Sequence, residues 1–381
     1  MLASWELTSP GSRMNIEESI TKKQVSISLF LFNIINIILT KSLLLVNDLS
    51  WSSFTPAMCE VIYNEGIQLK GTELWFDAKK KVNLSFISNG NISTLPRHDR
   101  IIATPETLKL VESKTSGSIA LSCPYNRPFA LGNAKIELIP SGYCLGASQI
   151  VVEIKDKRIV YTGDLKIGVS PTSKFIEIRR CDILIMKCRY GDPEYNFPPY
   201  EEVCHQIYEF AKESLYFNYT PVIFIDIFGK SLDLIQYLGN RNLKLGVHKS
   251  IYGYMQIYKE LGFEFKNAER LKVKNIRKKV LVLPLHGRTA KQLDQLNKKR
   301  TCIVTGLAKG NEKIVKSSFN VDMAYAMSNH AGYDELIQYV EIVKPKEIYL
   351  LEGQSVEFSN SLINRGYNAK PIENQVQLKL L

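Results

Sequence analysis

Between Val61 and Gly142 apolar and polar positions alternate in short runs: VIYNEGIQL, TELWFDA, VNLSFIS, RIIATP and AKIELIPSG, each rich in β-branched or aromatic residues and closed by Gly, Pro, Asn or Asp. Runs of this length predict strands, and their spacing predicts a sandwich or a mixed sheet. SQIVVEIKDKRIVYTGD follows as two strands joined at Lys155, Asp156 and Lys157, the pattern of a hairpin. Asp164 closes the second strand, a place that suits a functional carboxylate and a turn residue equally.

After the apolar run CDILIMKC the period changes. Pro198 and Pro199 precede Glu201 and Glu202, and Val203, Ile207, Phe210, Ala211 and Leu215 then recur on one helical face, so a capped amphipathic helix is expected. TPVIFIDIFGKSLDLIQYLGN reads as strand, turn at Gly229 and helix; KLGVHKSIYGYMQIYKELG, KVLVLPL and RTCIVTGL repeat the alternation. Alternation of this kind predicts a parallel sheet with crossover helices over about residues 195–310. The helix YDELIQYVEIV, stopped at Pro345, and the strand EIYLLEG end the ordered pattern. No internal repeat or Ser/Gly-rich linker marks a boundary.

The first 57 residues read differently. Val25 to Val46 is about long enough to cross a bilayer, but Asn33, Asn36 and Lys41 interrupt it. This leader is either absent from the working protein, an anchor, or a helix packed on the domain, and Met14 and Met58 offer alternative starts. The chain is accordingly placed in the cytoplasm, with a membrane-anchored form as the alternative.

Composition adds three constraints. With 49 Lys and Arg against 38 Asp and Glu, the formal charge of +11 favours polyanions such as nucleic acid or an acidic membrane surface. The 7 cysteines form no CxxC pair and sit in apolar runs, as small core residues in a reducing compartment do. The 5 histidines are too scattered along the chain for a local metal-ligand cluster.

LWFDAKK, PSGYCLGASQ, YTGD, FPPYEEV, FGKS, SNHA and KPKEIY occur in that order. Together they resemble the metallo-β-lactamase-fold nucleases that carry a β-CASP cap, of the exonuclease-like and RNA 3′-end-processing type, over about Val61 to Ile372. The resemblance implies an αββα sandwich core at about 58–190 and 310–381, with an α/β cap inserted at 191–309. It also implies chemistry in which paired zinc ions activate a water against a phosphodiester, which needs a dense set of imidazoles and carboxylates.

Carried over residue by residue, that set is mostly lost. The family's SHAHSDH signature corresponds here to Ser88, Asn89, Gly90, Asn91, Ile92, Ser93 and Thr94, so the ligand positions Asn89, Asn91, Ser93 and Thr94 carry no imidazole or carboxylate. The histidine of the PSGH loop is Tyr143, the acid opening the cap's first motif is Lys187, and the last histidine is Glu352. Asp77, Asp164 and His330 remain; the resemblance gives them, in turn, ligand orientation, metal bridging and transition-state support. Their plainer readings stand beside these: Asp164 as a turn cap, Asp77 as a solvated strand end, Glu352 as an exposed loop acid, and Asn329 with His330 as caps of the helix beginning near Tyr333. Cys144, with no histidine close in sequence, reads as a packed thiol rather than a nucleophile.

From Glu264 to Arg300 the chain carries 12 Lys or Arg and 3 acids. A charge run is ordinarily a solvated face; in a cap that walls a nucleic-acid cleft it also suits phosphate contact. Lys187, Arg189, Lys230, Arg277, Lys278 and Lys279 are therefore the expected nucleic-acid contacts. The expected function is a pseudo-nuclease: a non-catalytic protein of RNA processing, including mRNA 3′-end processing, or of DNA repair, that binds RNA or DNA or pairs with a catalytically complete relative. No cofactor is expected. One alternative is a residual metal-dependent phosphodiesterase using Asp164, His330 and Glu352, with zinc; another is a basic scaffold or membrane-anchored interaction protein.

Overall fold

The computed structural model describes residues 61–92, 94–272, 276–285, 296 and 298–372. The leader, Ser93, and Lys274, Arg288 and Lys291 of the basic run lie outside the described residues, as does the apolar segment Val25–Val46. Among the described residues no helix is long and apolar enough to cross a membrane. The fold is mixed α/β, with strands in three sheets.

The first sheet keeps chain order: Val61–Tyr63, Ile67–Leu69, Leu74–Phe76, Leu84–Phe86, Arg100–Ala103 and Ile119–Ser122, antiparallel over the first three and parallel beyond. The second runs Ala369–Pro371, Glu347–Gly353, Ile183–Cys188, Lys157–Tyr161, Ser148–Ile154, Ala134–Pro140 and Phe129–Leu131. Its hairpin turns on Lys155 and Asp156, with Ile154 paired to Lys157 and both turn residues at positive φ (49° and 59°), the geometry that follows strand twist. The two sheets meet where Phe76 lies on Tyr161, ring centroids 5.2 Å apart and planes 8° apart, with Phe86 edge-on to both. Alternation sends the next residue, Val160, to the opposite face, where it packs with Leu184, Met186 and Leu350 against helices Tyr333–Val343 and Ser355–Ile363. On the first sheet, helix Pro105–Val111, capped by Thr104, lays Leu108 against Ile87, Ile101 and Ala103.

The third sheet is parallel throughout, in the order Ala268–Arg270, Leu245–Val247, Val280–Pro284, Thr220–Ile225, Lys299–Thr305 and Met323–Ala326. Helices Tyr200–Tyr216, Lys230–Asn240 and Lys249–Glu260 cover one face through Ile207, Ile235 and Met255, and Val315 of helix Glu312–Phe319 covers the other. The proline pair starts its helix as expected, with Pro199 at the N-cap. The sheet runs past residue 309, because Met323–Ala326 pairs with Lys299–Thr305; by strand pairing the return to the second sheet begins after Ala326.

In a parallel sheet every strand ends on the same edge, and ligand sites form there. Asp164, Lys187 and Glu352 follow or end three mutually parallel strands of the second sheet. Asp226, Pro284 and Thr305, at the carboxyl ends of third-sheet strands, open onto the same region through the lining they share with Arg189 and His330. The fold therefore brings both sets of strand ends to one cleft.

Candidate functional site

The second-sheet side of the cleft, a cavity of about 380 Å³, is lined by Asp77, Asn89, Asn91, Thr94, Tyr143, Asp164, Lys187, Arg189, His330 and Glu352, so most of the sequence-predicted positions converge on it. At its centre is an ion cluster. Lys187 Nζ lies 3.4 Å from Asp77 Oδ2, 3.5 Å from Asp164 Oδ2 and 3.4 Å from Glu352 Oε1. The near-equal distances place one ammonium among three carboxylates rather than on any one of them. The side chains of Lys187, Asp77 and Asp164 are 12%, 16% and 14% exposed, whereas Glu352 at 35% is more strongly screened by water.

The backbone is shaped to make this meeting possible. Opposite Lys187 and Cys188 the ladder slips, so Glu352 is an extra residue between Leu351 and Gly353. Such a bulge re-aims a side chain, and here it turns Glu352 toward the cluster. Glu352 and Asp77 both hold left-handed φ values, 58° and 45°, a conformation that costs a non-glycine residue about 1 kcal/mol and gathers at sites. Gly163, at φ 54°, lets the turn before Asp164 approach the loop after the first-sheet strand; a Cβ there would stand 2.6 Å from Ser88 Cβ.

Asp77 is no solvated strand end. Its Oδ1 accepts from the Ser88 amide at 2.8 Å, and its Oδ2 accepts from Ser88 Oγ at 2.6 Å and from the Tyr161 hydroxyl at 2.7 Å. Asp164 accepts from Asn89 Nδ2 at 3.2 Å, and its Oδ1 lies 3.2 Å from His330 Nδ1. Arg189 Nη1 stands 3.0 Å from His330 Nε2. A guanidinium can only donate, so Nε2 accepts and Nδ1 carries the proton toward Asp164. Asn91 Nδ2 donates to the Tyr143 hydroxyl at 2.6 Å, and the Tyr143 ring lies 4.7 Å from that of His330. Positions where the resemblance expects imidazoles are thus tied to one another by neutral hydrogen bonds, with Thr94 exposed at the rim.

His330 does not cap the helix that follows it: that N-cap is Gly332, whose amide donates to Glu335 at 2.8 Å. Asn329 caps a different helix, accepting from the Lys230 amide at 2.7 Å. Cys144 is buried, and burial pushes its thiol well above the ordinary range, as suits a packed residue.

Of the expected nucleic-acid contacts, only Arg189 is exposed in the cleft. Lys187 is committed to the carboxylates. Lys230 is buried and pairs with Asp226 at 2.6 Å; Lys279 is buried and pairs with Glu269. Arg277 and Lys278 lie on neither cleft wall, since they precede strand Val280–Pro284 while its far end lines the cleft. Sequence reasoning missed Tyr161 and Ser88, whose hydroxyls complete the shell of Asp77.

Zinc does not fit this donor set. The Asp77 and Asp164 oxygens already accept hydrogen bonds, both His330 nitrogens are engaged, and Lys187 adds a positive charge at the point where the carboxylates meet. Among the described residues no group of three or more His, Cys, Asp or Glu side chains could hold a metal ion.

Burial opposes the charge of Asp164, but Lys187, His330 and Arg189 outweigh it and hold its carboxyl well below the usual carboxylate range. Burial likewise opposes the charge of Lys187, and Asp164, Asp77 and Glu352 outweigh it and raise the ammonium well above its usual range. A depressed acid contributes stability above its unfolded value, about 3.9, that is lost as pH falls through the folded value; a raised lysine contributes below about 10.4 and loses it as pH rises through its folded value. The cluster's contribution is therefore flat from about pH 4 to about pH 10 and falls on both sides. Urea midpoints for the protein and for Lys187→Met check the alkaline side: their difference should hold between about pH 7 and about pH 10 and shrink as pH rises further.

No family model matches the sequence. The chain is 26% identical over 324 residues to a probable DNA ligase of Opitutus terrae, a match covering 84% of this chain and 32% of that protein. It is 28% identical over 110 residues to an RNase J-like protein of Methanocaldococcus jannaschii, covering 28% of this chain and 26% of the other. The chain thus spans about a third and about a quarter of these relatives. A crystal structure of a protein of unknown function from Enterococcus faecalis shares the fold, with a TM-score of 0.51 and 12% identity over 75% of this chain and 78% of that one. A match of 31% identity over 115 residues, 30% of this chain, covers 78% of an uncharacterised protein encoded in the lig 3′ region of Acidianus ambivalens. The chain belongs to the family of that Acidianus ambivalens protein.

Proposed function

We propose that the chain is a pseudo-nuclease of nucleic-acid processing: a metallo-β-lactamase-like core with an inserted β-CASP-like cap, in which a lysine has taken the place of catalytic metal. The observation that carries this reading is Lys187 Nζ within 3.5 Å of Asp77, Asp164 and Glu352. Retained carboxylates without a cation would repel one another; a built-in ammonium keeps the cleft's shape and removes its power to activate water. The names of two relatives, a probable DNA ligase and an RNase J-like protein, and the charge of +11 support nucleic acid as the ligand class. In the cleft, Arg189 and Lys79 are the exposed cations placed to touch a phosphate. RNA or DNA is the ligand, and a ligand-complete relative is the partner that would supply cleavage.

Metal analysis and nuclease assays test this. The purified chain should carry no stoichiometric zinc and leave single strands uncut with added zinc, manganese or magnesium. About two zinc ions per chain, or cleavage that a chelator abolishes, would overturn the reading in favour of a residual phosphodiesterase using Asp164, His330 and Glu352.

A further inference from the structure

The basic run that the sequence assigns to the cleft wall has its described cations elsewhere. All strands of the third sheet are parallel, so their starts share one edge and their ends, which open on the cleft, share the other. Strand Thr220–Ile225 separates the two by roughly 20 Å. The starting edge carries an unusual pair of features. Immediately before Thr220 stand Tyr216, Phe217 and Tyr219, 80%, 55% and 38% exposed. At the starts of the flanking strands stand Lys298 and Lys299 on one side, Lys299 being the first residue of its strand, and Arg277 and Lys278 on the other, all exposed.

We propose that this edge is a platform for single-stranded nucleic acid, separate from the cleft. The aromatic turn is prebuilt: Phe217, Asn218 and Tyr219 donate their amides to Glu213, Leu215 and Ser214, and Thr220 donates to the Lys298 carbonyl at 2.9 Å. That last bond fixes the lysines against the rings. Tyr216 and Phe217 hold each other edge to face, centroids 5.1 Å apart, and so present ring faces in two directions. Two basic residues of this edge are already matched, Lys279 by Glu269 and Arg300 by Glu213. Among the described residues no acid pairs with Arg277, Lys278 or Lys298, so their charge is available to a polyanion.

Exposed rings between cations select the ligand. Unstacked bases offer faces to aromatic side chains while their phosphates reach the flanking charges, whereas a duplex keeps its bases inside. RNA and DNA share this chemistry, and both belong in the test. The proposal rests on the preceding reading only for the class of ligand, because no cleft residue takes part.

Anisotropy titrations of the full chain with short labelled single-stranded RNA and DNA, over a salt series, decide it. Tyr216→Ala with Phe217→Ala should weaken binding of at least one of the two strands by about tenfold or more at fixed salt and leave the salt slope unchanged. Arg277→Gln with Lys298→Gln should weaken binding and flatten the slope by about two. Arg189→Gln reports on the cleft, and the aromatic pair should weaken binding as much in its background as in the native protein; a duplex should bind with no dependence on the rings. These side chains are exposed, and thermal melts confirm that each variant folds. Unchanged affinity in the aromatic variant overturns the platform. Loss confined to Arg189→Gln overturns it while leaving the cleft reading in place. No binding of any oligonucleotide overturns both, and ring-dependent binding of anionic vesicles alone replaces the nucleic acid by a membrane.

Discussion

Lys187→Ala lowers the stability of the protein by about 3–5 kcal/mol at neutral pH, because it removes one member of a largely buried cluster and leaves the carboxylates unpaired. The value sits within this range rather than above it because Glu352, at 35% exposure, keeps much of its hydration. Lys187→Met, which retains the bulk of the stem and removes only the charge, loses nearly as much, so the effect is electrostatic and not a cavity. The pH dependence supplies the sharper readout. In the native protein Asp164 contributes stability above its unfolded value and loses it in acid, being held below the usual carboxylate range. Without the ammonium, burial and the like charges of Asp77 and Glu352 raise one of the acids, and a raised acid stabilises the fold as pH falls through its new value. The variant should therefore gain stability relative to the native protein between about pH 7 and about pH 5. Chemical denaturation at both pH values checks this; a variant within about 1 kcal/mol of the native protein at pH 7 would mean the ammonium is not holding the carboxylates.

Much of the architecture could be read from the chain. Strands with β-branched or aromatic runs, the hairpin at Lys155 and Asp156, and the helix behind the proline pair follow from local period and turn chemistry, which report on near neighbours. Ile119–Ser122 was not legible because it is an exposed edge strand, with Ile119 at 72%, so no buried face writes a pattern into it. Met323–Ala326 has no β-branched residue, and its place beside Lys299–Thr305 is set by tertiary pairing. At the site, the order of motifs brought Asp77, Asp164, Lys187, His330 and Glu352 to one cleft. What it did not give was stoichiometry. Lys187 reads in sequence as a cation free to meet phosphate, and only the convergence of three strand ends reveals that it serves three carboxylates at once. The misplacement of the basic run has a simpler cause: Arg277, Lys278, Lys298 and Lys299 stand before or at the start of their strands' apolar runs, and in a parallel sheet residues that come before the strands gather on the edge opposite the site.

Lys187→Asp turns a question of charge balance into a choice of cation. It places a fourth acid where Asp77, Asp164 and Glu352 already meet, and without added metal the fold should be less stable than Lys187→Ala, since like charges replace a compensating one. The oxygens left facing the vacated ammonium, Asp77 Oδ2, Asp164 Oδ2 and Glu352 Oε1, are hard donors with no imidazole among them. Calcium or manganese should therefore rescue the variant better than zinc, which prefers nitrogen and sulfur. Rescue grows with metal concentration, reaching about 2.7 kcal/mol when the ion stands at about a hundred times its dissociation constant, and the native protein should not respond. Melting temperatures over a calcium series for both proteins measure this. An equal rise in the native protein would show that a metal binds despite Lys187, and no rise in the variant would show that the carboxylates do not converge on a shared cation; either result removes the ammonium from the role assigned to it.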